Sequence, residues 1–379
     1  MEKTVNGRRE LMKIIHCADL HLDSRMTANL DPEKAKERKI ELLNTFGKMV
    51  AYAAEHDVQA ILIAGDLFDT NAISARARNF VKDRIENNPD ILFFYLKGNH
   101  DANDTFLSTF EAIPENLKLF SDTWTRYELE NGRIVIYGIE LTKENADTVY
   151  TTLLPAPEPV NIVMMHGQAG EYRSKNAAES IDLSALRNRN IDYLALGHVH
   201  EIQEQPLPPR GKMRYPGCLE GRGFDECGTH GFWVLDIDTD NSTITDEFVP
   251  IAYRTLYEIH VDCEGSKTSP EIVSLCRDAI RSSGASERDL LKIVLDGATP
   301  IDCEKSPELV ASLLRDDFYF LKVYDRTHTF VRYDDYALDA SLKGEFVRAV
   351  KADETLSEDE KAEIIRCGIR ALGGEEIAL

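Results

Sequence analysis

The sequence predicts an α/β fold, and three observations carry that reading. Short, strongly apolar runs alternate with stretches of helical periodicity, and turn residues punctuate the joins between them. Several of the apolar runs also end on residues able to ligate a metal. Residues gathered from distant segments need a common face, and the carboxyl ends of strands in an α/β sheet supply one.

The elements follow in order. Residues 1–12 are polar and mixed and read as a loose N-terminal extension, with Met12 as an alternative start. Arg8-Arg9 is followed by Glu10 rather than by an apolar stretch, so no signal peptide is expected. Residues 13–17 form a buried strand leading to a loop with Asp19 and His21. After Asp31-Pro32, a start signal, Ile40, Leu43, Gly47, Val50 and Ala54 fall at helical spacing over 33–55. Strands are predicted at 59–64, 91–96, 134–138, 160–165 and 192–196, with a helix at 74–86. Beyond residue 200 the character changes. Pro206, Pro208 and Pro209 predict a rigid loop, followed by strands at 213–216, 231–238 and 243–250. A second unit starts near Thr255: strand 256–262, helix 270–282, strand 290–296, helix 306–315 and strand 318–324. The segment 345–379 reads as an acidic helical tail. Ser357 and Glu360 make a capping box there, and Ile364, Ile365, Ile369 and Leu372 form an apolar stripe before Gly373-Gly374. The expected organisation is thus 1–12, 13–254, 255–344 and 345–379.

Composition bounds the function. A chain of 379 residues, 43% hydrophobic and 29% charged, is long enough for two domains. No run approaches the roughly 18 apolar residues of a membrane span. The seven cysteines (Cys17, Cys218, Cys227, Cys263, Cys276, Cys303, Cys367) are odd in number and none is spaced C-x-x-C. Neither a disulfide framework nor a thiolate zinc site is expected, and a reducing cytoplasm fits best. The net charge of −22 argues against an unaided, high-affinity binder of duplex nucleic acid.

The chemistry lies in five motifs: Asp19-Leu20-His21, Gly65-Asp66, Gly98-Asn99-His100-Asp101, His166-Gly167 and Gly197-His198-Val199-His200. Half of the ten histidines fall inside them. A single His or Asp at a strand end is ordinarily a turn or capping residue, but this ordered set is not. Imidazole, carboxylate and amide donors suit two hydrolytic first-row dications. Asp66 is the natural bridge, with Asp19, His21 and His200 completing one ion and Asn99, His166 and His198 the other. Two cations, two carboxylates and a bridging hydroxide leave this shell at +1, enough to draw in a phosphate ester. His100 is assigned to the transition state or the leaving oxygen, and Asp101 to orienting His100. His16, His56, His230, His260 and His328 are expected to be ordinary structural histidines.

This order of motifs over residues 13–200 resembles the calcineurin-like metallophosphoesterases. The flanking residues Asp19–Ser24, Gly65–Thr70, Tyr215–Gly217 and Phe224–Gly228 resemble, more narrowly, the bacterial DNA repair exonucleases of the SbcD type. The resemblance implies a two-sheet β-sandwich flanked by helices, with residues 255–344 as a small α/β cap facing DNA. It implies manganese as the metal, with iron or zinc as alternatives, an SbcC-like coiled-coil ATPase partner, and a tendency to form homodimers. Carried over by position, the ligands are Asp19, His21, Asp66, Asn99, His166, His198 and His200, with His100 catalytic. Some relatives carry a histidine where this chain has Asp69, which cannot do the same job. Arg222 is a candidate substrate contact, within a set of basic residues (Arg187, Arg189, Arg210, Lys212, Arg214) that would support DNA binding if they shared a face beside the metals. Three functions therefore stand: a DNA nuclease, a phosphoesterase for nucleotides, cyclic nucleotides or phosphoproteins, and mainly a subunit of an ATPase complex.

Overall fold

The computed structural model describes residues 11–26, 30–69, 73–101, 105–170, 179–301 and 303–372. They fall into two compact units, Met1–Tyr253 and Arg254–Leu379. Residues 1–10 of the expected extension, and the Gly373-Gly374 end of the tail, lie outside the described residues.

The first unit runs β1 (Met12–Cys17), α1 (Pro32–Glu55), β2 (Ala60–Ala64), α2 (Ala75–Glu86), β3 (Leu92–Leu96), β4 (Leu117–Leu119), β5 (Thr125–Leu129), β6 (Ile134–Gly138), α3 (Val149–Thr152), β7 (Val160–His166), β8 (Gln168–Gly170), β9 (Ser180–Asp182), α4 (Leu183–Leu186), β10 (Tyr193–Gly197), β11 (Ile202–Leu207), β12 (Gly211–Pro216), β13 (Gly231–Asp238) and β14 (Thr243–Pro250). One six-stranded sheet has the order β14-β13-β1-β2-β3-β4 and the other β11-β12-β10-β7-β6-β5. Strands β1 to β4 are mutually parallel, as are β6, β7, β10 and β12, with antiparallel strands at the margins.

The period-two alternation of side chains sorts these apolar strands into layers. Ile15, Cys17, Ile61, Ile63, Phe93 and Tyr95 face one way and pack with Leu42, Phe46, Met49 and Val50 of α1 and Val81 and Ile85 of α2. Their neighbours Ile14, Leu62, Ala64, Phe94 and Leu96 face the other way, against Ile134, Ile136, Ile162, Met164, Tyr193 and Ala195 of the second sheet. The far face of that sheet buries Val163, Met165, Leu194 and Leu196 with Val149, Leu183 and Leu186. The result is a two-sheet sandwich with helices outside. Both faces of each sheet are covered, which is why the parallel strands read as continuous apolar runs.

The predicted loop at Pro206 is corrected by the structure. Residues 202–207 pair antiparallel with β12, and Pro206 sits opposite Lys212. The strand is at the margin of its sheet, so the missing proline N–H interrupts no ladder between two neighbours. Strands β4 and β5 were also not predicted; β4 has three residues and β5, Thr125–Leu129, has no buried residue.

The second unit contains β15 (Leu256–Asp262), α5 (Ser269–Ser283), β16 (Leu290–Asp296), β17 (Ala298–Pro300), α6 (Pro307–Leu314), β18 (Phe320–Asp325), β19 (His328–Phe330), α7 (Leu342–Lys351) and α8 (Glu358–Leu372). β15, β16 and β18 form a parallel sheet, and α5 and α6 cover one face through Ile272, Cys276, Ile280, Val310 and Leu314. The capping box forms: Ser357 N–H donates to Glu360 at 2.8 Å and Glu360 N–H donates to Ser357 Oγ at 3.3 Å. Helix α8 packs on α7 and on β19, with Ile365 fully buried and Ile364 and Leu372 partly exposed. No described helix is long and apolar enough to cross a membrane.

Candidate metal centre

The carboxyl ends of β1, β2, β3, β7 and β10 converge at one edge of the sandwich, and each hands the chain to a tight loop. The loops are stitched together by backbone bonds: Asp19 N–H to Gly65 O, His21 N–H to Asp66 O, and Gly167 N–H to Gly197 O, at 2.9–3.1 Å. Asp19, His21, Asp66 and His198 all have left-handed backbone, with φ of 51°, 43°, 50° and 103°. Such conformations are costly for residues with side chains and concentrate at functional sites. Gly98 is required for a different reason: a β-carbon there would collide with the Asp66 carboxylate.

Among the described residues, three groups of potential ligands form: Asp19, His21 and His200; Asp19, Asp66 and His166; and His21, Asp69 and His100. The structure therefore brings together five of the seven expected ligands directly. Asn99 stands beside them, its Oδ1 3.0 Å from His166 Nε2. His198 joins none of the three groups, but its ring lies edge-on to His166 at 5.4 Å and its N–H donates to both Asp19 oxygens at 2.9 Å.

The donor set fits divalent cations, because its atoms are acceptors facing acceptors. His166 Nδ1 is 2.9 Å from the Ala64 carbonyl and must donate to it. When that ring is neutral, its Nε2 is a bare lone pair directed at Asn99 Oδ1 and at Asp66 Oδ2, 3.4 Å away. His21 Nδ1 is 3.1 Å from the Asp69 carboxylate and His200 Nδ1 is 2.7 Å from that of Glu226. Their Nε2 atoms then confront one another at 3.1 Å. A proton or a cation must lie among such groups. In the metal-free protein, protons take that part: burial disfavours charge on His166, but its bond with Asp66 outweighs this and lifts the imidazole to about 9. Burial likewise opposes ionisation of Asp66, and the His166 bond and charge overcome it and hold that carboxyl well below its usual range. Asp19 is raised to about 6, chiefly by burial.

Two expectations are corrected. Asp101 does not orient His100. Its carboxylate is 5% exposed and accepts from the N–H groups of Leu67, Phe68 and Gly98 at 3.0–3.2 Å, holding the Asp66 loop to the Asn99 loop. His100 instead has Nδ1 3.1 Å from the Asp69 carbonyl, while its backbone N–H donates to Asp66 at 2.9 Å. Arg222 is not free for a substrate: its guanidinium is bonded to Asp69 at 3.1 Å and to Glu226 at 2.7 Å. Arg189, Arg210, Lys212 and Arg214 are likewise engaged elsewhere. Lys212 pairs with Tyr193 at the start of β10 and Arg214 with Ala195 at its middle. Arg214 is buried against Glu204, Asp246 and the Trp233 ring, Lys212 binds Asp246, and Arg210 binds Asp192. Arg189 is bonded to the Ala185 and Leu153 carbonyls.

Glu226 and Tyr215 were missed as site residues. The Tyr215 hydroxyl donates to Gly167 O at 2.6 Å and accepts from Ala169 N–H at 2.7 Å, fixing the turn after His166. Both lie in the flanking motifs Tyr215–Gly217 and Phe224–Gly228, but the residues they serve, Gly167 and His200, are distant in sequence.

The sequence model of the calcineurin-like phosphoesterase family matches residues 12–201. The chain is 28% identical over 309 residues to the uncharacterized metallophosphoesterase YhaO of Bacillus subtilis, covering 76% of this chain and 72% of the relative. It is 24% identical over 308 residues to the DNA double-strand break repair protein Mre11 of Sulfolobus acidocaldarius, covering 76% of each. It is also 26% identical over 289 residues to a subunit of the SbcCD nuclease of Staphylococcus epidermidis, covering 66% of this chain and 72% of the relative.

Proposed function

The chain belongs to the calcineurin-like phosphoesterases, metal-dependent hydrolases, and from that premise we propose that it is a two-metal nuclease cutting the phosphodiester bonds of DNA. The observation that carries the chemistry is the convergence of Asp19, His21, Asp66, His166 and His200 at one strand edge, acceptor facing acceptor. In this reading Asp19, Asp66, His21 and His200 would hold one ion, and Asp66, Asn99, His166 and His198 would hold the other. Two bound divalent cations, manganese in this proposal, supply Lewis acidity to the phosphate and an activated water. The chain's own residues do the rest. His100 presents a side chain 44% exposed. Its Nδ1 is committed to the Asp69 carbonyl, so Nε2 is left to face the phosphate, and with both ring nitrogens protonated its Nε2–H can bond a phosphate oxygen or pass its proton to the leaving oxygen. Asp101 and Gly98 keep the two ligand loops in register.

DNA as the substrate is supported by the relatives, whose names are those of a DNA break repair protein and a nuclease subunit and whose likeness extends past the catalytic motifs. The second of these names also supports reading the chain as one component of a larger nuclease. Purified protein with Mn2+ should degrade linear DNA, and His100→Ala should lower the rate by about 10²–10⁴-fold without unfolding the protein.

A second reading is favoured by the pairing of Arg210, Lys212, Arg214 and Arg222 with the protein's own carboxylates. It makes the substrate a small phosphodiester. Turnover of bis(p-nitrophenyl) phosphate or cyclic nucleotides, with linear DNA left intact, would establish that reading in place of the first.

A further inference from the structure

The side chains surrounding the two facing imidazoles form a closed chain of contacts. His21 Nδ1 is 3.1 Å from Asp69 Oδ1, and the same oxygen lies 3.1 Å from Arg222 NH1. The other arm of that guanidinium is 2.7 Å from Glu226 Oε1, which is 2.7 Å from His200 Nδ1. His21 Nε2 and His200 Nε2 complete the ring at 3.1 Å. We propose that Arg222 is a positioning residue for the metal centre: by bridging Asp69 and Glu226 it fixes the tautomer and direction of both His21 and His200, so that their Nε2 atoms converge on one cation. The inference rests on the reading of His21 and His200 as ligands of the same ion.

Three features support it. First, each carboxylate is set against an imidazole Nδ1, hydrogen-bonded between Glu226 and His200 at 2.7 Å and in ion-pair contact between Asp69 and His21 at 3.1 Å, which leaves Nε2 as the ligand atom in each case. Second, Arg222 is anchored from its own side, since its N–H donates to Glu226 Oε2 at 2.7 Å and its Nε lies 3.2–3.3 Å from both oxygens. A rigid planar fork of this kind holds two carboxylates at a set separation, which an ammonium group does not. Third, the loop is tied to the body of the unit. Buried Glu220 accepts from Arg38 of α1 at 3.1 Å and from Thr45 at 2.8 Å, and Arg38 also donates to Gly221 O at 2.7 Å.

The same geometry decides what the group of His21, Asp69 and His100 does. Those three residues have the donor atoms of a third cation site. The guanidinium 3.1 Å from Asp69 already supplies a positive charge there, so Asp69 serves the arginine rather than another ion.

The clamp acts on one ion only, and that gives the test. Mn2+ binding to the full-length, metal-free protein would be followed by calorimetry and by the electron paramagnetic resonance of the bound ion, with circular dichroism monitoring the fold. In Arg222→Met and Glu226→Gln one of two Mn2+ sites should weaken by about 10–100-fold while the second keeps its affinity. Arg222→Lys should fall between them and the wild type. Unchanged affinity at both sites, or equal weakening of both in a folded variant, would overturn the proposal. If Arg222→Met does not fold, Glu226→Gln and Asp69→Asn decide it by the same criterion. A wild type that binds no pair of Mn2+ ions would overturn the metal reading itself, and is recognised before any variant is made.

Discussion

His16 shows how a single buried side chain makes the fold sensitive to acid. It lies in β1, wholly buried between the sheets, with Nδ1 3.0 Å from the Tyr193 hydroxyl and Nε2 3.2 Å from the Leu196 carbonyl, both of β10. The carbonyl can only accept, so Nε2 donates to it and Nδ1 accepts from the tyrosine, a neutral imidazole bridging two sheets. Burial lowers its pKa to about 3, the Leu196 bond opposing this in part. The sign follows from proton uptake. Below about 6.5 the unfolded chain protonates His16 and the folded chain does not, so stability is full above that pH and falls as pH drops towards 3. The expected slope from this one group is about 1.4 kcal/mol per pH unit. His16→Gln retains a donor and an acceptor and has no titration. Urea unfolding of metal-free protein at pH 6 and pH 4.5 should therefore show the wild type losing more stability than the variant. Equal losses would refute the assignment.

At the scale of elements, the loop after β12 depends on a helix far from it in sequence. Arg38 of α1 is 1% exposed and is held by Glu41 at 2.7 Å, Glu220 at 3.1 Å and the Gly221 carbonyl. Arg38→Met would leave two buried carboxylates without their cation, and loss of one partner from such a group costs about 3–5 kcal/mol. Urea unfolding checks this, and a loss below about 1 kcal/mol would mean that water replaces the arginine. These elements also show what could be read from the sequence and what could not. Strands β1, β2, β3, β7 and β10 were legible because burial on both faces leaves them apolar throughout, and the ligand motifs were legible because each is local to one strand end. α1 announced itself by Asp31, whose carboxylate does cap the helix by accepting from Glu33 and Lys34 N–H. The clamp was not legible: Asp69 meets Arg222 and its neighbour Glu226 across more than 150 residues of chain, and charged residues in loops carry no period. Arg222 read alone looked like a substrate contact, and Asp101 read alone looked like a partner for its neighbour His100.

For the molecule as a whole, the net charge of −22 and the placement of its cations constrain how DNA would be held. A protein that neutralises Z phosphates with lysine and arginine shows a salt slope of roughly −0.9Z on duplex DNA. Here Arg222 is committed to Asp69 and Glu226, Arg214 to Glu204 and Asp246, Lys212 to Asp246 and Arg210 to Asp192. A cation already paired with a carboxylate releases fewer counterions on meeting a phosphate, so the slope should be shallow, corresponding to about three phosphate contacts or fewer. Attraction then has to come from the metal centre, a local positive charge inside an acidic protein. The two ideas separate cleanly with His100→Ala protein, fluorescent duplex DNA and KCl from about 50 to 200 mM. Affinity should change little across that range with Mn2+ present and should collapse when the metal is chelated. A steep salt slope that survives chelation would instead place the main DNA contact on a basic surface away from the metals.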